Sequence, residues 1–264
     1  MKVGLTITNY CGAKCFTCVN HLVRPIKIMK PEWLETILAK LNGHASHLFV
    51  NSVGDFLHLP DCEKYIEIIN RFYEKTGIRL SITTNCAWPV LNRNKIKNIN
   101  ASVIVCSFNS HPSRYKQLLG MDFTHVYSNI LWVIETFGVV EIHVLKHCLN
   151  EIKDEELIRL FRQKKEVPIR ISEKVENQCL GHTINDRMKY CDYVEGITIE
   201  PDGYVKACPH DWFSTTVYGN LLDEPLEAIL GKRNINKEKM GRGEFIATIC
   251  KYCNYPQGAR IQHI

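Results

Sequence analysis

Apolar and polar positions change period along the chain. Short runs rich in Val, Ile and Leu recur at 2–7, 47–51, 79–84, 102–107, 139–145 and 168–172. Between them lie stretches with apolar residues every three to four positions, at 31–41, 62–75, 92–97, 126–137 and 153–164. The first pattern predicts strands and the second amphipathic helices. Pro31 suits a helix first turn, and Asp154, Glu155 and Glu156 favour a helix N-terminus. Gly77 and Gly138 fit helix stops. Six strand–helix units in order predict an α/β fold with a parallel sheet and outer helices. Most strand runs are largely apolar, as in strands covered on both faces. Six units fall short of an eight-stranded barrel, so the expected architecture is a partial (β/α)6 barrel of TIM-like kind.

The texture changes after residue 172. Residues 173–190 are polar and weakly periodic, which predicts a linker. Residues 196–208 read as a β-hairpin turning at Pro201-Asp202-Gly203, and a short helix is expected over 222–230. The expected organisation is a barrel over 1–172, a linker, and a small α+β domain over 191–264.

Composition narrows the class. The chain has 264 residues, 45% hydrophobic and 23% charged, as in ordinary soluble globular proteins. No apolar run is long enough to span a bilayer, and the N-terminus reads as a strand rather than a signal peptide. These features predict no membrane partner and a cytoplasmic location. Net charge is +5. The densest basic cluster holds Lys232, Arg233, Lys237, Lys239 and Arg242, read as a solvated face before an anion or nucleic-acid contact. Twelve cysteines stand out. A reducing compartment disfavours disulfides, so their spacing points to metal.

Cys11, Cys15 and Cys18 form C-x3-C-x2-C just after the first strand. Loops that follow parallel strands build the active face of a barrel. Three thiolates can ligate three irons of a [4Fe–4S] cluster and leave the fourth open, where an electron carrier would use four cysteines. The alternative is zinc, with His21 as a fourth ligand.

Cys11-Gly-Ala-Lys-Cys15-Phe-Thr-Cys18 resembles the cluster loop of the radical S-adenosylmethionine superfamily. Val53-Gly54-Asp55-Phe56 resembles its G-G-E-P element, with Val for the first Gly and Asp for Glu. Thr83-Thr84-Asn85-Cys86 resembles its T-T-N-G, with Cys86 for Gly. Ser107-Phe108-Asn109 and Asn150 resemble later polar positions at strand ends. The resemblance implies that Cys11, Cys15 and Cys18 hold the cluster. It implies that Thr17, Gly54, Asp55, Thr84, Asn85, Ser107, Asn109 and Asn150 contact S-adenosylmethionine. It also implies reductive cleavage to a 5′-deoxyadenosyl radical, hydrogen abstraction from a substrate, and a reductase such as flavodoxin or ferredoxin.

Cys191 and Cys208 bracket the hairpin as C-x11-G-x4-C, and Cys250 and Cys253 form C-x2-C. This resembles the auxiliary-cluster modules called SPASM and twitch, and the shorter twitch form fits a chain with no cysteine after Cys253. The resemblance implies a second [4Fe–4S] cluster on Cys191, Cys208, Cys250 and Cys253, serving electron transfer. A zinc ribbon is the alternative. Cys62 and Cys106 read as core residues, while Cys86 and Cys148 fall near strand ends and could donate hydrogen to a radical, with packing the favoured reading. Cys179 has no spacing that asks for a role. His143, His147, Lys146 and Arg170 are secondary candidates at the mouth.

The expected function is radical S-adenosylmethionine chemistry on a small molecule, as oxidation, dehydrogenation or rearrangement. A nucleotide, nucleic-acid base or peptide is the alternative substrate. A non-catalytic iron–sulfur or zinc protein that binds nucleic acid or senses redox state is the alternative of another class.

Overall fold

The computed structural model describes residues 1–16, 18, 20, 25–51, 53–146, 152–162, 166–173, 191–211, 214–246, 250 and 260–263. Its elements run β1 (Lys2–Leu5), α1 (Pro31–Leu41), β2 (His47–Val50), α2 (Cys62–Thr76), β3 (Arg79–Thr84), α3 (Arg93–Ile96), β4 (Val103–Ser107), α4 (Tyr115–Leu119), α5 (Phe123–Thr136), β5 (Val140–Lys146), α6 (Asp154–Phe161) and β6 (Ile169–Glu173). Then come β7 (Ile197–Ile199), β8 (Tyr204–Lys206), β9 (Val217–Asn220), α7 (Leu226–Gly241) and β10 (Arg260–His263).

Strands β1 to β6 pair in sequence order, all parallel. This is the sheet of a partial TIM-like barrel, as the alternation of elements predicts. The helices start and stop for local reasons. Pro31 opens α1, Asp122 caps α5 by accepting from the His125 N–H (2.8 Å), and the acidic residues 154–156 fill the first turn of α6. Gly77 ends α2 in the left-handed conformation, φ 61°. Gly138 plays no such part, because α5 closes on extended Phe137.

The sheet has two unlike faces. Leu5, Val50, Ile82, Ile104, Ile142 and Ile169 are buried in one core with α1, α2 and α5. Residues of opposite parity include Phe49, Thr83, Ser107, Glu141, His143 and Arg170, all partly exposed. Register puts these on a common face, with His143 opposite both Ser107 and Arg170. Arg170 and Glu141 form an ion pair there (2.9 Å). The strands are therefore less uniformly apolar in their setting than the sequence runs suggest, because the second face carries these partly exposed polar residues.

The C-terminal hairpin is continuous with the barrel sheet. β7 pairs parallel with β1, β8 and β9 follow antiparallel, and β10 returns antiparallel to β6 at the far edge. Cross-ties reinforce the β1–β7 seam, including the Lys27–Asp202 ion pair (2.5 Å) and Lys40 Nζ donating to the Leu221 and Glu224 carbonyls. α7 runs 16 residues, well past the short helix expected over 222–230. The basic cluster lies on and just beyond it, and much of it is matched by acid. Lys232 pairs with Glu224, Lys237 with Glu195 and Arg242 with Glu244. Among the described residues no helix is long and apolar enough to cross a membrane.

Candidate functional site

The loop after β1 is pinched at its base. Thr8 bridges Ile28 antiparallel, and the Asn9 side chain accepts from the Lys27 N–H (2.7 Å) while donating to the Pro25 carbonyl (3.1 Å). The loop is then strapped to α4. The Lys14 N–H donates to the Leu119 carbonyl (2.8 Å) and the Phe16 N–H to the Leu118 carbonyl (3.0 Å). The turn between them carries Cys11, Cys15 and Cys18, all partly exposed. α4 escapes the sequence reading because five residues give too short a periodic signal.

The three thiols feel one another. Burial pushes Cys11 up to about 11, with the charges of Asp55 and Cys18 adding to it. Burial pushes Cys15 up to about 12, with Cys11 and Cys18 adding. Bare thiols so placed stay protonated; a bound cation reverses this by favouring the thiolates. Two sulfurs already accept hydrogen bonds, Cys11 from Asn85 Nδ2 (3.1 Å) and Cys18 from the Asn20 N–H (3.4 Å). The Tyr115 hydroxyl, wholly buried and without a hydrogen-bond partner among the described residues, lies within electrostatic reach of Cys15. Among the described residues no three His, Cys, Asp or Glu side chains close on a point fit for a single metal ion. A cluster asks instead for thiolates spaced around a common volume, each on its own iron. The sulfur donors, their hydrogen bonds and the orphan hydroxyl fit that demand.

The loops after β2 and β3 clamp this turn from one side. Gly54 has φ +71°, and a Cβ there would collide with the Thr8 and Tyr10 carbonyls. The Asp55 N–H donates to the Tyr10 carbonyl (2.9 Å). The Asp55 carboxylate is 1% exposed. Oδ1 accepts from Asn51 Nδ2 (3.0 Å) and the Leu57 N–H (3.1 Å). Oδ2 accepts from the Thr84 hydroxyl (2.6 Å) and the Asn85 N–H (3.1 Å). A carboxylate offers about four acceptor sites. All four are in use, so Asp55 knots the two loops together and holds no spare acceptor for an S-adenosylmethionine amine. Burial raises its pKa, opposed first by His58.

Thr84 is likewise turned inward, 2% exposed, its hydroxyl accepting from Trp88 Nε1 and the Cys86 N–H (both 3.1 Å). Asn85 points to Cys11 itself. Ser107 and Asn109 lie at the end of β4, on the far side of the opening, and Ser107 shares the polar face with His143. Burial lowers His143 to about 4, helped by Arg170. Cys86 is buried against Cys106, which raises its thiol further, and packs rather than opening to the mouth. Thr17, Asn150, His21, His147, Cys148 and Cys179 lie outside the described residues, as does the Lys146 side chain.

Three residues that sequence reasoning missed complete the clamp. Asn51 has φ 67° and accepts from the Phe56 N–H while donating to Asp55 and the Thr83 carbonyl (2.7 Å). An Asn directly after a strand is a weak signal for such a left-handed position. His58 supports Asn85, and its ring fills the space where a side chain at Gly12 would go. Tyr115 carried no signal.

In the C-terminal region Cys191 and Cys250 share a small core with Val194 and Met240. Burial raises Tyr218, and Cys208 and Cys250 both lie close enough to add to the effect. The Cys208 sulfur accepts from the His210 N–H (3.4 Å). Three of the four expected ligands are thus brought together, and Cys253 lies outside the described residues.

The family described as SPASM, an iron–sulfur cluster-binding domain, matches residues 191–254. No curated protein matches the chain by sequence. Solved structures match by fold. BtrN in complex with AdoMet and 2-DOIA is 14% identical with a TM-score of 0.62, over 97% of this chain and 93% of that one. Polyhistidine-tagged anSMEcpe with bound AdoMet is 15% identical with a TM-score of 0.64, over 91% and 84%. Streptococcus suis SuiB bound to S-adenosylmethionine is 13% identical with a TM-score of 0.60, over 96% and 71%. The chain thus shares the fold of these AdoMet-bound structures and matches a SPASM iron–sulfur cluster-binding domain over residues 191–254.

Proposed function

We propose that this protein is a radical S-adenosylmethionine enzyme with two [4Fe–4S] clusters, acting on a small polar molecule in a reducing cytoplasm. When bound, the first cluster and S-adenosylmethionine supply a 5′-deoxyadenosyl radical that takes hydrogen from the substrate. The observation that carries this reading is the three-thiol turn at the C-terminal end of β1, with Asn85 donating to the Cys11 sulfur. Cys11, Cys15 and Cys18 hold the first cluster. Cys191, Cys208, Cys250 and Cys253 hold the second, which leaves it no open iron and suits it to accept an electron in a net oxidation. Gly54, Ser107 and Asn109 border the volume where S-adenosylmethionine would lie, and the strapped turn would hold it in a fixed place.

The polar face bearing Ser107, His143 and the Glu141–Arg170 pair supports a substrate with hydroxyl or amine groups. A peptide is the second reading. It is favoured by likeness to anSMEcpe with AdoMet and Cp18Cys peptide, and to SuiB bound to precursor peptide SuiA. The acids that neutralise much of the basic cluster on α7 weigh against nucleic acid.

Anaerobic reconstitution tests the proposal. The wild type should bind about eight irons per chain and, once reduced, release 5′-deoxyadenosine from S-adenosylmethionine. Cys15→Ala should bind about half the iron and release none. Zinc in place of iron, or a Cys15→Ala protein that matches wild type, overturns it.

A further inference from the structure

We propose that Asn85 is a positioning residue that sets the reduction potential of the cluster held by Cys11, rather than a contact to S-adenosylmethionine. This rests on reading Cys11 as a cluster ligand.

The orientation of the Asn85 amide is fixed by its neighbours. The Ala87 backbone N–H can only donate, and it lies 2.8 Å from Oδ1. That contact makes the atom on its side the oxygen, so the NH2 group faces the sulfur of Cys11 at 3.1 Å. His58 Nε2 lies 3.0 Å from the same oxygen and must therefore carry a proton and donate. The Asn85 backbone N–H is tied to Asp55 Oδ2, and that carboxylate is held from both loops. Asn85 is thus locked at its main chain and at its carbonyl, and its one free group is aimed at a thiolate position.

A hydrogen bond to a ligating sulfur stabilises the more negative, reduced form of a cluster and raises its potential. His58 keeps the donor aimed there, and Gly12 leaves room for the His58 ring, since a Cβ at position 12 would lie 2.5 Å from Cε1. Two sequence features acquire a purpose in this way. The Asn of the segment after β3 is a sulfur ligand's partner, and Gly12 admits the histidine that orients it.

Potentiometric titration of reconstituted protein, followed by electron paramagnetic resonance, tests this. The relevant signal is the one that Cys11→Ala abolishes. Asn85→Leu removes both amide groups at similar size. Asn85→Asp keeps the oxygen that accepts from Ala87 and His58 but loses the donor. Both variants should keep wild-type iron content. Their signal should titrate at more negative potential, by up to about tenfold in the reduction equilibrium, or about 59 mV for one electron. Asp should shift at least as far as Leu because its charge acts in the same direction. The affinity for S-adenosylmethionine should hold. An unmoved potential overturns the proposal, as does a shift in Leu alone. Loss of the signal in both variants, or weaker S-adenosylmethionine binding at unchanged potential, also overturns it. Absence of any Cys11-dependent signal in wild type defeats the two-cluster reading itself, a distinct result.

Discussion

Gly54 lies against Thr8 so closely that a β-carbon on Gly54 would overlap the Thr8 carbonyl oxygen. The φ of +71° at Gly54 is a second demand for glycine. Together they fix how the loop after β2 approaches the cysteine turn. Gly54→Ala should cost about 1–2 kcal/mol for the left-handed backbone alone. The backbone collision adds to that, so the melting temperature should fall by at least about 2 °C, at roughly 2–4 °C per kcal/mol. Iron should be lost selectively from the site that depends on Cys15. Thermal melts and iron analysis beside wild type check this, and an unchanged melt refutes it.

The buried pair Lys206–Glu200 organises the other end of the chain. Lys206 is 2% exposed, and its ammonium lies 2.6 Å from the Glu200 carboxylate and 3.2 Å from the Asp211 carbonyl. Removing one member of a buried pair strands the other charge. Glu200→Gln should therefore destabilise by about 3 kcal/mol. Lys206→Met removes the more deeply buried charge and leaves Glu200, 18% exposed, as the stranded member, so it should cost less than Glu200→Gln. Chemical denaturation of both variants separates the cases. Equal losses would mean that the ammonium is not the group stranded.

Much of this architecture is legible in the chain, and the gaps have physical causes. β3 and α1 match their expected bounds because a turn signal flanks each and Pro31 marks a start. The length of α7 was missed because its apolar residues do not gather on one face. Only Leu226, Ile229 and Met240 are buried along it. The join of β7 to β1 was invisible because strand pairing across nearly 200 residues leaves no local mark. The cysteine spacing carried the site itself. The inward turn of Asp55 and Thr84 was not legible, since a motif gives residue type and order but not the direction a side chain takes.

Acid should weaken the fold in a defined window. Burial, helped by Arg170, lowers His143 to about 4 from an ordinary 6.5. Between those values the folded chain keeps the imidazole neutral while the unfolded chain protonates it. Stability from this group is therefore complete above pH 6.5 and is lost as pH falls toward 4. His47, lowered to about 4 by burial with Arg79 and Lys2 adding, acts in the same sense but is more open to water. His143→Gln should show a smaller fall in melting temperature than wild type between neutral and acid pH. Parallel curves would rule the group out.

Cys86 supplies the sharpest test of backbone strain. It stands at the end of β3 with φ 57°, in the conformation that favours glycine. Its thiol is wholly buried beside Cys106, and the Asn129 amide holds its carbonyl (2.9 Å). Three substitutions then fall in a fixed order. Cys86→Gly loses the thiol but relieves about 1–2 kcal/mol of left-handed strain. Cys86→Ala loses the sulfur contacts and keeps the strain, so it should be less stable than the glycine variant by about 1 kcal/mol. Cys86→Val should be the least stable, because a β-branched side chain at this φ is a severe outlier and the added branch would enter a fully buried site. Denaturation midpoints measure the order. An alanine variant more stable than the glycine variant would show that packing against Cys106, and not the backbone, governs this position.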